Sequence, residues 1–91
     1  MMVSAQVSVY PLGQGDLGQA IGNALEAFEA PGIDCTMGSM STLLEGGEAE
    51  VFAALRDGFR AASSHGGTVM VITVSNACPT AGSARAAARN G

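Results

Sequence analysis

Tryptophan and lysine are absent from this 91-residue chain, and aromatic residues make up only 4% of it. With so few rings, the core has to be built from Val, Leu, Ile, Ala and Met. The four basic residues are all arginines (Arg56, Arg60, Arg85, Arg89) in a chain of net charge −4. Binding to a phosphate backbone draws its strength from clustered Lys and Arg, so general nucleic-acid binding is excluded. Charged residues are scarce at 13%, against 47% hydrophobic, which excludes a highly charged disordered chain. One histidine, His65, and two cysteines, Cys35 and Cys78, form an incomplete donor set without metal-ligand spacing. The thiols are expected to be reduced, in a cytoplasmic protein. No basic segment followed by an apolar one precedes a cleavage site, so no signal peptide is expected. No apolar run approaches the ~18 residues that a membrane span needs.

Glycine, by contrast, is plentiful at 13 residues. The length admits one domain, expected over residues 1–79, followed by a flexible or weakly helical tail over 80–91. The tail is rich in Ala, Gly and Ser. It carries Arg85 and Arg89, whereas all eight acids lie before it.

Hydrophobic periodicity supplies the elements. In residues 3–10, Val3, Ala5, Val7 and Val9 alternate with Ser4, Gln6, Ser8 and Tyr10, the period of a half-buried strand. Its apolar side should meet helices. Pro11 and Gly13 are expected to end it. Asp16 suits the N-cap of a helix over 17–29, in which Leu17, Ile21, Ala24, Leu25 and Phe28 form an apolar stripe. Gly18 and Gly22 lie four apart on that helix, consistent either with close approach to a neighbour or with a tolerated weakness. Pro31-Gly32 stops it.

An extended segment over 33–40 is expected to bend at Gly38. Residues 39–41 form an irregular crossing to a short strand over 42–45, and Gly46-Gly47 read as a turn. A second helix starts at Glu48 with the stripe Val51, Phe52, Leu55, Phe59 and Ala62, and has His65 in its last turn, able to cap carbonyls. Residues 68–74, TVMVITV, are apolar on both sides and read as a strand that is central or covered on both faces. The succession β-α-β-β-α-β predicts an α+β, ferredoxin-like fold: a four-stranded antiparallel sheet with two helices on one face.

Chemistry on this scaffold is sparse. No acid–base or nucleophile set emerges, so the protein is read as not an enzyme. Glu26, Glu29, Glu48 and Glu50 fit solvated helix faces. Gly13-x-Gly15-x-x-Gly18 matches a dinucleotide fingerprint by count, but that fingerprint requires a parallel βαβ unit. RNA recognition on this fold needs exposed strand aromatics, and only Tyr10 is available. Acylphosphatase-type chemistry would need an arginine over residues 11–16, which contain none. Polar residues remain at strand positions and strand ends: Gln6, Ser8 and Tyr10; Ser39, Ser41 and Thr42; Thr73, Ser75 and Asn76. Met37 and Met40 could contact a flat ring through sulfur.

Three segments, SVYPLG over 8–13, MSTLLEG over 40–46 and VSNACP over 74–79, with EVFAALRDGFRAA between the last two, resemble the YkoF-like thiamine-binding protein family. The resemblance spans residues 3–79. It implies the ferredoxin-like fold and non-catalytic binding of thiamine, chiefly through its hydroxymethylpyrimidine part, in salvage or transport. Thiamine would be a ligand rather than a cofactor. YkoF itself holds two such domains in one chain; with one copy here, the resemblance implies a homodimer or homotetramer joined through sheet faces. Position within the matched segments and side-chain chemistry select Ser8, Tyr10, Met40, Ser41, Thr42, Glu45, Ser75 and Asn76 as ligand-binding residues. Glu45 is the candidate partner for the thiazolium charge. The alternative is a ligand-free interaction module that uses the open sheet face.

Overall fold

A computed structural model of the chain describes residues 1–13 and 15–77. Its elements follow the expected order: β1 (Met2–Leu12), α1 (Leu17–Phe28), β2 (Ile33–Met37), β3 (Thr42–Gly47), α2 (Glu48–Ala62) and β4 (Gly67–Ser75). All pairings are antiparallel, in the spatial order β2-β3-β1-β4. This is the α+β, ferredoxin-like arrangement. The expectations for Cys78 and for the tail over 80–91 lie outside the described residues. Among the described residues, no helix is long and apolar enough to cross a membrane.

The alternation in β1 holds. Val3, Ala5 and Val7 are buried under the helices, while Gln6 and Tyr10 are exposed on the opposite, open face. Leu44 lies directly across from Ala5 and shares its side, so the core runs from the centre of the sheet to Phe28 of α1 and Val51 of α2. Asp16 caps α1 as expected, its Oδ1 accepting from the Gln19 N–H at 2.9 Å. β1 continues through Pro11 to Leu12 instead of ending there. Beyond Val7 its only strand neighbour among the described residues is β4, the edge setting in which a proline's missing N–H is tolerated.

Several sequence expectations need correction. β2 stops at Met37, and residues 38–41 form a tight loop closed by the Gly38 N–H donating to the Ser41 carbonyl at 2.8 Å. Gly46 and Gly47 are not a turn: they continue β3, paired with Val3 and Met2. A Cβ on Gly46 would sit 2.6 Å from the Gly32 carbonyl oxygen, so a side chain there would push the chains apart. The stripe of α1 runs through Ala20, Ala24 and Phe28, while Leu17 and Ile21 are exposed. The buried line of α2 is Val51, Ala54, Leu55, Gly58 and Ala62; Phe52 and Phe59 are exposed.

The largest correction concerns β4. It is an edge strand, with Val69, Val71, Ile72 and Val74 all exposed. The helices explain this. A Cβ on Gly58 would overlap the Phe28 ring, so the helices meet most closely there. α2 is thereby drawn over β1 and β3 and barely reaches β4. Gly18 and Gly22 are not the close-approach glycines: a Cβ on Gly22 would meet nothing within 4 Å. His65 lies in the turn after α2 rather than in its last turn. The final carbonyls of the helix are instead taken up by Ser63 Oγ, which donates to Phe59 O at 2.6 Å, and Ser64 Oγ, which donates to Ala61 O at 3.0 Å.

Candidate functional site

β1 is longer than its neighbour. The β1–β3 pairing ends at Val7 opposite Thr42, yet β1 runs five residues further. The gap beside this overhang is roofed by the 38–41 loop and by α1. The result is a cavity of about 270 Å³ lined by β1 (Val7, Ser8, Val9), α1 (Ile21, Leu25), Met37, the loop and Thr42. Two hydrogen bonds tie the loop to β1 across it. Gln6 Nε2 donates to Ser41 Oγ at 3.0 Å, and Ser8 Oγ donates to the Met40 carbonyl at 3.3 Å.

Among the described residues, the lining combines aliphatic side chains, two thioethers and the hydroxyls of Ser8, Ser39, Ser41 and Thr42, with no ionisable group. Along the overhang, one side of the β1 backbone has no strand partner among the described residues, so its N–H and C=O groups face the gap. Alternating main-chain donors and acceptors with hydroxyls nearby can read the edge of a flat heterocycle. The apolar walls and sulfur atoms can cover its faces. The volume lies at the small end of ligand sites, suited to a single ring and its substituents.

Of the residues selected from the sequence, Ser8, Met40, Ser41 and Thr42 meet at this notch. Tyr10 stands further along β1 on the open face, half exposed, opposite Val69. Glu45, Ser75 and Asn76 lie at the other end of the sheet. Glu45 and Ser75 flank Ser4 on either side, and Asn76 Nδ2 is 3.1 Å from Met1 Sδ. Ser4 and Ser8 are four residues apart on one strand, or roughly 13 Å. A ligand in the notch would therefore not touch this second group. Ile21 and Leu25 went unselected because helical spacing marks them only as core. Their half of the stripe extends past the sheet, and the strand register reveals the gap.

Two further features lie nearby. Cys35 is a free, half-buried thiol on β2, opposite Leu44. Burial pushes its pKa up from the ordinary 9.0, and the Glu29 charge adds to this. A second cavity, between the start of α1 and the turn after α2, is bordered by Asp16, Gln19, Asn23, Ser64 and His65. Among the described residues, no group of three or more His, Cys, Asp and Glu could hold a metal ion. The Gly13–Gly18 fingerprint serves no dinucleotide fold, because both neighbours of β1 are antiparallel to it.

Comparison with known structures supports the same fold. Hypothetical protein MJ1052 from Methanocaldococcus jannascii superposes with a TM-score of 0.81 at 22% identity, covering 98% of this chain and 96% of that one. A domain of unknown function, DUF77, from Bacillus cereus gives 0.74 at 22% identity, over 88% and 79% of the two chains. A Thermotoga maritima protein, provisionally named as one of thiamine biosynthesis/salvage, gives 0.77 at 19% identity, over 98% and 100%. At these identities the likeness establishes the fold alone. No curated protein matches the chain. The model of the YKOF-related family matches residues 2–81, nearly the whole chain, and the protein belongs to that family.

Proposed function

We propose that this chain binds thiamine, or its hydroxymethylpyrimidine part, in the notch beside the β1 overhang, without catalysing a reaction on it, in thiamine salvage or transport. The carrying observation is the uncharged notch itself, where unpaired β1 backbone, four hydroxyls and two thioethers converge. An aminopyrimidine presents ring-nitrogen acceptors and an exocyclic amino donor along one edge, which complements such a rim. Family membership and the provisional name of the Thermotoga maritima neighbour support the choice of ligand. Glu45 is on the open side of β3, beside Ser4, whereas Thr42 is on the helix side, opposite Val7. The thiazolium charge would therefore meet the weak field of an acidic protein rather than that carboxylate. A cytoplasmic setting goes with this reading, as does assembly through the open sheet face.

Isothermal calorimetry with thiamine and with hydroxymethylpyrimidine tests the proposal. Both should bind. Ser8→Ala and Thr42→Val should each weaken binding about 5- to 30-fold, by 1–2 kcal/mol for a lost hydrogen bond, while Asn76→Ala leaves it unchanged. Absence of heat and of any thermal shift at millimolar ligand would refute it. The competing reading, a ligand-free interaction module, draws on the exposed Tyr10, Leu12, Val69 and Val71 of the open face. It requires silent calorimetry together with a stable oligomer.

A further inference from the structure

Sulfur stands at the most open part of the notch. Of the five methionines, Met1 and Met2 begin the chain and Met70 is half-buried on β4. Met37 and Met40 remain, and both line the notch. They are 62% and 87% exposed, and Met40 is the most exposed large hydrophobic side chain among the described residues. Met37 ends β2 opposite Thr42, and Met40 lies in the tight loop that follows. The Met40 carbonyl accepts from Ser8 Oγ at 3.3 Å, which holds the backbone of the more exposed thioether against β1. A side chain that buries so little of itself gains little from the hydrophobic effect. Its sulfur is open to a ligand ring and equally to an oxidant.

We infer that Met37 and Met40 make the notch a redox-sensitive site, which holds thiamine while both thioethers are reduced and releases it when hydrogen peroxide converts them to sulfoxides. The switch rests on the notch being the thiamine site proposed above. Hydrogen peroxide is the only co-reactant that the forward step needs. The thioether sulfur attacks one peroxide oxygen; the O–O bond breaks and an S–O bond forms. Sulfur is oxidised by two electrons, the peroxide is reduced, and its other oxygen leaves as water with both protons. A thiol-dependent reductase reverses the step: the sulfoxide oxygen leaves as water, and two thiols become a disulfide.

A thioether is apolar and polarizable and can lie against a ring. A sulfoxide is polar and chiral, with a strong acceptor oxygen. Oxidation at both positions therefore removes two apolar contacts from the notch. The new oxygens also compete with a ligand for the hydroxyl donors of Ser8, Ser39 and Ser41, which line the same cavity. Cys35 is a poor alternative as the oxidant-sensing sulfur. It is half-buried on β2, and its burial, with the Glu29 charge, holds it in the less reactive thiol form. A thioether needs no deprotonation to react, so exposure decides, and it favours Met37 and Met40 over Met70.

Calorimetry of the full chain with thiamine, before and after treatment with hydrogen peroxide and then dithiothreitol, tests the switch. Dithiothreitol reduces disulfides and sulfenic acids and leaves methionine sulfoxides in place. Peptide mass spectrometry should find an added oxygen at Met37 and Met40 ahead of Met70. Affinity should then fall at least about tenfold, from the loss of two sulfur–ring contacts. Methionine sulfoxide reductases of both epimer specificities should restore it. Met37→Leu/Met40→Leu, which has no thioether in the notch, should keep its own affinity through the same treatment. Unchanged affinity with both sulfoxides formed overturns the inference. So does oxidation of Met70 ahead of Met37 and Met40, a loss that the reductases do not reverse, or a double variant that loses as much affinity as the wild type. The reductase arm uses the wild-type chain, so the test stands even if the double variant fails to fold. Untreated wild type that does not bind thiamine refutes the site itself and the switch with it, and this is read before any oxidant is added.

Discussion

Gly58 and Gly22 are the same residue type in opposite circumstances. A methyl at Gly58 overlaps the Phe28 ring, itself fully buried in the core. Gly58→Ala is therefore expected to cost about 1–3 kcal/mol by overpacking. At Gly22 the same methyl meets open space, and Gly22→Ala should stabilise the protein by about 0.5–1 kcal/mol through helix propensity. Urea unfolding of the two variants checks both signs. Cys35 provides a pH dependence. Its folded-state pKa lies above the ordinary 9.0, chiefly from burial and then from Glu29, so folding disfavours the thiolate. That contribution is complete below about pH 9 and is lost as the pH rises through the folded value. The stability difference between wild type and Cys35→Ala should be flat at neutral pH and decline above pH 9. A difference that stays flat to pH 11 would show that Cys35 is not shielded.

At the scale of elements, the site exists because β1 outruns β3 and a short loop spans the resulting gap. A Cβ on Gly38 would lie 2.9 Å from the Ser41 carbonyl oxygen, the acceptor that closes the loop. Gly38→Ala should displace the loop and lower affinity for thiamine about tenfold, with a melting temperature within a few degrees of wild type. Unaltered affinity would mean that the loop does not touch the ligand. Much of this element was legible: the residue types of Ser8, Ser41 and Thr42 singled them out, and period 2 set the faces of β1. The contribution of Ile21 and Leu25 was not, because 3.6-residue periodicity marks an apolar face without showing where the sheet beneath it ends. Phe52 and Phe59 were misread as core for the same reason.

For the molecule as a whole, charge discriminates between forms of the proposed ligand. Among the described residues the notch has no cation in its lining, and the chain is acidic, so a diphosphate ester would lose its hydration there without a described Arg or Lys partner. Thiamine diphosphate is expected to bind at least tenfold more weakly than thiamine, a difference of about 1.4 kcal/mol, and the gap should narrow with added salt. Competition calorimetry of thiamine and its diphosphate measures this directly; equal affinities would place the phosphates outside the notch, in solvent.

The sequence by itself determined the order of elements, the buried side of β1, the cap of α1 and the lack of phosphate-binding charge. These follow from local periodicity, from side-chain chemistry at a single position or from composition. The tertiary structure decided which strand lies at the edge, where β1 overhangs β3, and that Gly58 rather than Gly22 marks the closest helix approach. It also decided that Glu45, Ser75 and Asn76 stand apart from Ser8. Each of these depends on what lies opposite a residue across space. An apolar strand such as β4 reads the same whether its own chain covers it or leaves its side chains exposed, as here.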